Sequence, residues 1–129
     1  MTSAGSGIYY DSSTVGLEYN AGTETLNVGG DVIAYYTSDR RLKDNIQPIG
    51  SALEKVSKLQ GYTFEWNELS QKEGKEVGVI AQEIEVDFPE LVALRDNGFK
   101  AVRYDKLVAV LIQAVNELKA EVDELKSRK

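Results

Sequence analysis

The chain has no histidine and no cysteine, and these two absences narrow its chemistry sharply. Without cysteine there is no disulfide staple and no soft-metal site, and without histidine the commonest metal ligand is gone. A carboxylate-only metal site needs clustered acids, and no Asp-x-Asp-x-Asp loop occurs. No metal and no cofactor are therefore expected. No run approaches the ~18 apolar residues of a membrane span. Residues 1–7 have neither a basic stretch nor an apolar one, so no signal peptide is expected there. A reducing compartment is permitted. Basic charge is also short: the net charge of −6 argues against nucleic acid as a partner, because phosphate contacts need clustered Lys and Arg.

The deficit is uneven. Residues 1–37 contain Asp11, Glu18, Glu24 and Asp31 and no Lys or Arg, whereas all 15 basic residues lie in 38–129. The composition changes at Ser38, which reads as a boundary between two kinds of structure. At 129 residues the chain is one domain's worth with an appended segment. Before the boundary, Ile8-Tyr9-Tyr10, Val15 to Tyr19 and Val32 to Tyr36 read as short strands. Asn20-Ala21-Gly22 and Val28-Gly29-Gly30-Asp31 read as turns. Some thirty such residues cannot bury a core alone and need partner chains or the following domain.

After the boundary, 48–60 reads as a helix, with Ser51 and Glu54 spaced as a capping box. Tyr62 to Trp66 alternates as a strand with Tyr62, Phe64 and Trp66 on one face, expected as core, with a ligand platform as the alternative. A polar loop covers 67–75, a strand Glu76 to Ile80, and a short helix 81–87 that Pro89 stops. Asp96-Asn97-Gly98 is a hairpin signal between Leu91–Leu94 and Lys100–Val102. The clearest element is a helix over 105–127 with Asp105 as its expected N-cap. In it Val108, Leu111, Val115, Leu118, Val122 and Leu125 alternate at +3 and +4, which puts Val at each a position and Leu at each d. That is a coiled-coil seam, and Glu121 at g faces Lys126 at e in a parallel neighbour. By composition Val at a with Leu at d favours two strands, while Ile112 at e and Ala114 at g widen the early stripe, which suits three helices or docking onto the domain body. The fold class expected is α+β: an N-terminal β segment, a small mixed α/β domain and a long C-terminal helix.

Covalent chemistry without imidazole leaves a serine activated by a lysine amine. The best-placed pair is Ser38 and Lys43, in Ser38-Asp39-Arg40-Arg41-Leu42-Lys43-Asp44-Asn45-Ile46. The amine must be desolvated or repelled to act as a base. Arg40 and Arg41 favour that by repulsion, while Asp39 and Asp44 oppose it. On composition alone the segment is a solvated loop, and its Ser-Asp step a turn initiator.

This motif resembles the start of the intramolecular chaperone auto-processing domain that ends phage tail spikes, tail fibres and endosialidases. Val77 to Ile84 with Phe88-Pro89-Glu90-Leu91-Val92 is similar to that family's middle stretch, and Tyr104-Asp105-Lys106-Leu107 leading to Ala114-Val115-Asn116-Glu117-Leu118 to its closing helix. The resemblance covers 38–129 and implies a homotrimer in which 1–37 ends a β-rich stalk and 38–129 is the chaperone. It implies single-turnover serine endopeptidase chemistry: self-cleavage between Thr37 and Ser38, with Ser38 as nucleophile, Lys43 as general base, and Asn45 and Arg41 in support. The partners implied are the chain's own copies and the stalk, with no nucleic acid and no membrane. Assembly would take place in the host cytoplasm, and the parent protein would sit in the virion tail. A non-cleaving trimerisation module and a receptor-binding tip are the alternatives.

Overall fold

The computed structural model describes residues 16–128. The expected strand Ile8–Tyr10, and Val15, lie outside the described residues. The described residues divide into two compact units, one of 16–43 with 66–74 and one of 44–65 with 75–128.

In the first unit, β1 (Leu17–Asn20) pairs antiparallel with β2 (Thr25–Val28), Leu17 opposite Val28. The turn forms because the Asn20 side-chain oxygen accepts from the Gly22 and Thr23 amides at 2.9 and 3.2 Å. The strand at β2 was not expected, since Val28 reads as turn chemistry beside Gly29-Gly30. Its ladder with β1 overrides that local signal. The strand expected over Val32–Tyr36 does not form; residues 31–39 have no regular structure. An extended segment becomes a strand only beside a ladder partner, and the ladder here joins β1 to β2 alone. Val32, Ile33 and Tyr35 consequently stay exposed, Tyr35 at 93%. The 66–74 loop is held by its own side chains. Asn67 accepts from the Leu69 amide at 3.0 Å, Ser70 Oγ accepts from the Lys72 amide at 3.0 Å, and the Lys72 amine stands 4.7 Å over the Trp66 ring.

The second unit contains the core. Ile84, Phe88, Leu91 and Val110 are buried together, flanked by Ile49, Val56, Leu59, Val79, Val92, Val102 and Leu107. Around them run α1 (Ala52–Ser57), β3 (Tyr62–Glu65), β4 (Lys75–Gly78), α2 (Ala81–Asp87), β5 (Val92–Leu94), β6 (Lys100–Val102) and α3 (Leu107–Ser127). The mixed architecture with a long last helix agrees with the expected class. β3 pairs with β4 and β5 with β6, both antiparallel. The β5–β6 turn falls at Asp96–Gly98 as expected: Gly98 takes φ +87°, and the Asn97 side chain accepts from the Phe99 amide. The aromatic row is half-buried rather than core. Tyr62 and Phe64 alternate inward, the strand ends at Glu65, and Trp66 lies past it. The Tyr62 hydroxyl donates to the Glu83 carboxylate at 2.9 Å, which pushes the phenol above its ordinary pKa. Gly78 must be glycine because a Cβ there would meet the Tyr104 hydroxyl at 2.8 Å.

Two helix starts differ from expectation. Ser51 takes a left-handed conformation (φ 51°) and caps nothing with its side chain, so the Ser51–Glu54 capping box does not form. Glu117, on α3, does that work instead, its carboxylate accepting from the amides of Ala52 at 3.0 Å and Leu53 at 3.2 Å. A carboxylate at these first free amides also meets the positive end of the helix dipole. Asp105 is likewise not a cap. It sits inside a 3-10 turn, Tyr104–Lys106, whose tight start displaces the α-helix to Leu107.

Helix α3 has two apolar faces. Val110 and Ala114 are buried against the unit, so Ala114 docks onto the domain body, one of its two expected roles. Val108, Leu111, Ile112, Val115, Leu118, Val122 and Leu125 all point to solvent, Val115 at 61% exposure. Val108, Leu111, Ile112, Val115 and Asn116 line a shallow apolar groove. No helix among the described residues is long and apolar enough to cross a membrane.

Glu117→Ala should lower stability by about 1–2 kcal/mol, the usual cost of losing a helix cap. Denaturant unfolding at fixed chain concentration checks this, and Ser51→Ala in the same assay should change stability by less than about 0.5 kcal/mol.

Candidate functional site

One short turn builds the site, all of it within the first unit. Asp39 is extended, with φ −69° and ψ 131°, and N-caps a 3-10 turn over Arg40–Leu42. The Leu42 amide donates to the Asp39 carbonyl and the Lys43 amide to the Arg40 carbonyl, each at 3.1 Å. The Asp39 Oδ1 atom accepts from the Arg41 amide at 2.8 Å, fixing the first step of the turn. Lys43 closes it in an extended conformation. Chain reversal over these residues returns the lysine arm to the serine, and Lys43 Nζ lies 2.6 Å from Ser38 Oγ.

The turn-initiator reading and the nucleophile–base reading are therefore not alternatives here, because the turn is what joins the pair. An N–O distance of 2.6 Å serves an ammonium donating to the hydroxyl. It serves equally a neutral amine accepting the serine proton, which is the contact a Ser-Lys nucleophile requires. Thr37, Ser38, Asp39, Arg41 and Lys43 are all exposed in the single chain. None of the described residues buries the amine.

Arg41 does not face the Ser38–Lys43 pair as a free charge. Its Nε donates to Asp39 Oδ1 at 3.1 Å and its Nη2 to Asp39 Oδ2 at 2.9 Å. The guanidinium, with the Arg41 amide, holds the Asp39 carboxyl below the ordinary carboxylate pKa, and Asp39 in turn raises Arg41. Asn45 belongs to the second unit and adopts a left-handed conformation with φ 54°. Asn tolerates that region better than other residues with a side chain, so its backbone accounts for Asn at this position. The sequence marks Asp39 as a charge opposing a neutral lysine and as part of a turn-initiating Ser-Asp step, and does not single out Glu117. The Asp-two-residues-before-amide spacing of a capped turn was the available signal for the first. A cap donated from across the unit leaves no local signal for the second.

Among the described residues no group of three His, Cys, Asp or Glu side chains is placed to hold a metal ion. The family profile described as chaperone of endosialidase matches residues 38–93. The long tail fiber protein Gp37 of Enterobacteria phage K3 and that of Enterobacteria phage T2 are each 37% identical over 100 residues, covering 73% of this chain and 8% of their own length. The Gp37 of Enterobacteria phage M1 is 34% identical over 100 residues, covering 72% of this chain and 40% of its own. The chain thus spans less than half the length of these relatives.

If Asn45 is present for its backbone, Asn45→Gly should keep parent stability while Asn45→Val loses about 1–2 kcal/mol, the cost of a left-handed residue with a branched side chain. Thermal unfolding of both variants checks it.

Proposed function

Since the chain belongs, through residues 38–93, to the family described as chaperone of endosialidase, we propose that it is the folding module of a phage tail fibre, which trimerises through α3 and then releases itself. Release occurs by cleavage between Thr37 and Ser38. The observation that carries this reading is the 2.6 Å contact between Lys43 Nζ and Ser38 Oγ. The similarity to long tail fiber proteins supports the client and the setting: the stalk is assembled in the host cytoplasm and ends in the virion tail.

The chemistry follows from the pair. Neutral Lys43 takes the hydroxyl proton as Ser38 Oγ attacks the Thr37 carbonyl carbon. The tetrahedral adduct collapses by breaking the Thr37–Ser38 C–N bond, and the lysine returns the proton to the leaving amine. An ester between Thr37 and Ser38 Oγ results. Water then opens it, leaving a Thr37 carboxylate and a Ser38 with free amine and free hydroxyl. Attack on the equivalent bond of a neighbouring copy uses the same proton path. In attack on its own bond a chain acts once, because the serine it uses becomes its own new terminus.

Assembly supplies what the single chain lacks. Residues 118–128 are all exposed, so the second half of α3 is left uncovered by the described residues. Isolated helices this short are marginal in water. Burying the seam residues stabilises by about 1.5–3 kcal/mol for each side chain fully covered. A trimer interface closing near the Ser38 turn would also remove water from Lys43, which makes cleavage follow correct assembly. Aligned chain ends favour stalk zipping, because joining the copies raises the local concentration of slow, non-local strand contacts. The exposure of the Ser38–Lys43 pair favours a second reading, a trimerisation module that never cleaves.

Ser38→Ala and Lys43→Ala should each remain full length and still assemble, while the parent yields fragments divided between Thr37 and Ser38 by intact mass. An intact parent under trimeric conditions selects the non-cleaving module. Leu118→Asp should turn trimers into monomers by sedimentation and abolish the fragments. Cleavage by a monomeric Leu118→Asp chain would refute the dependence on assembly.

A further inference from the structure

We propose that Asp39 is a positioning residue for the Ser38–Lys43 pair: its carboxylate closes the turn that returns Lys43 to Ser38. The proposal rests on the cleavage reading above, and goes beyond it by naming what sets the geometry. In an extended chain the five steps from residue 38 to 43 span roughly 17 Å, at about 3.3 Å each, more than the four-carbon arm of lysine bridges. The observed 2.6 Å contact therefore depends on the intervening 3-10 turn. That turn is a single turn with no buried residue. Apolar packing does not hold it, and its two backbone bonds are exposed to competing water. The remaining restraint is the Asp39 side chain, whose Oδ1 accepts from the Arg41 amide at 2.8 Å.

Both Asp39 oxygens are committed to Arg41, Oδ1 to the amide and Nε and Oδ2 to Nη2. This has a second consequence for Lys43. An aspartate four residues before a lysine is a ready counter-ion, and pairing with it would draw the amine off the serine. With the guanidinium bound by both carboxylate oxygens, the lysine is left to Ser38.

The test compares the parent, Asp39→Ala and Asp39→Asn as full chains in assembled form. Cleavage is followed by intact mass, with sedimentation and melting temperature alongside. Asp39→Asn keeps an oxygen for the Arg41 amide, and Asp39→Ala does not. Cleavage should slow about tenfold in Asp39→Ala, the size of a lost cap expressed as a rate, with assembly and melting temperature unchanged. In Asp39→Asn it should recover to within about threefold of the parent. Parent-like cleavage by Asp39→Ala, or an Asp39→Asn as slow as Asp39→Ala, overturns the proposal. If the parent itself stays intact, the cleavage reading fails and the contact is read directly, as the nuclear Overhauser effect between the Lys43 ε-protons and the Ser38 β-protons. Its presence in the parent, loss in Asp39→Ala and return in Asp39→Asn would support the positioning role. Its persistence in Asp39→Ala would overturn it.

Discussion

The Glu117 carboxylate, set between two helices, is the contact on which the arrangement of the second unit depends. It accepts from the first amides of α1 while Val110 and Ala114, on the same side of α3, are buried. Helix α1 has only six residues, Ala52–Ser57, too few to hold itself together. Its N-terminal amides would otherwise be left to water or to a side chain of its own, and the left-handed Ser51 offers none. The long helix thus defines where the short one begins. The fixed pair in turn helps cover Ile84 and Phe88, through Val56 and Leu59 from the α1 region and Leu107 and Val110 from α3.

That inward contact also decides which face of α3 remains free. A 3.6-residue repeat cannot place 110, 114 and 117 against α1 and the core and also place 108, 111, 115 and 118 there. Docking the first set commits the second to solvent, and the second set is the heptad seam. Intrachain ion pairs occupy Lys119 with Asp123 and Glu124 with Arg128, on the half of α3 that the described residues leave exposed. Exposed pairs at this spacing contribute only about 0.3–0.5 kcal/mol each. They are too weak to be why the helix extends so far beyond the unit, whereas an uncovered apolar seam is a sufficient reason.

The elements legible in sequence were those whose signal is local and repeated. The seam of α3 recurs over its whole length, and the Asp96-Asn97-Gly98 turn is encoded by three adjacent residues. Both were readable without a partner in view. The failures share one cause, a decision made elsewhere in the fold. Ser51 had the composition of a cap, but Glu117 takes the amides. Asp105 had the composition of a cap, but a preceding 3-10 turn moves the helix start to Leu107. Val32–Tyr36 had the composition of a strand, but a strand requires a neighbour that the described residues do not supply. Of the candidate site, elimination of imidazole and thiol nominates Ser38 and Lys43 as a pair, the family resemblance supplies the catalytic reading, and their side chains do meet. The Ser-Asp step signals a turn there, but that Asp39 closes it on the Arg41 amide is not legible from the step alone.

Placement and activation are separable in this arrangement. Distance is set locally, by one turn of chain and one carboxylate, and would exist in a monomer. Desolvation is not supplied locally, because the Ser38–Lys43 pair is exposed among the described residues. A Ser-Lys pair with the right distance and the wrong dielectric is close to inert, since water competes for the amine's proton and for its hydrogen bonds. On the proposed reading, two conditions controlled by different parts of the chain would have to coincide, a turn at 39–43 and a cover supplied by association. A device that acted once, and only on a finished assembly, would use that division. Geometry can be built in from the start without risk, provided that the low-dielectric environment arrives last.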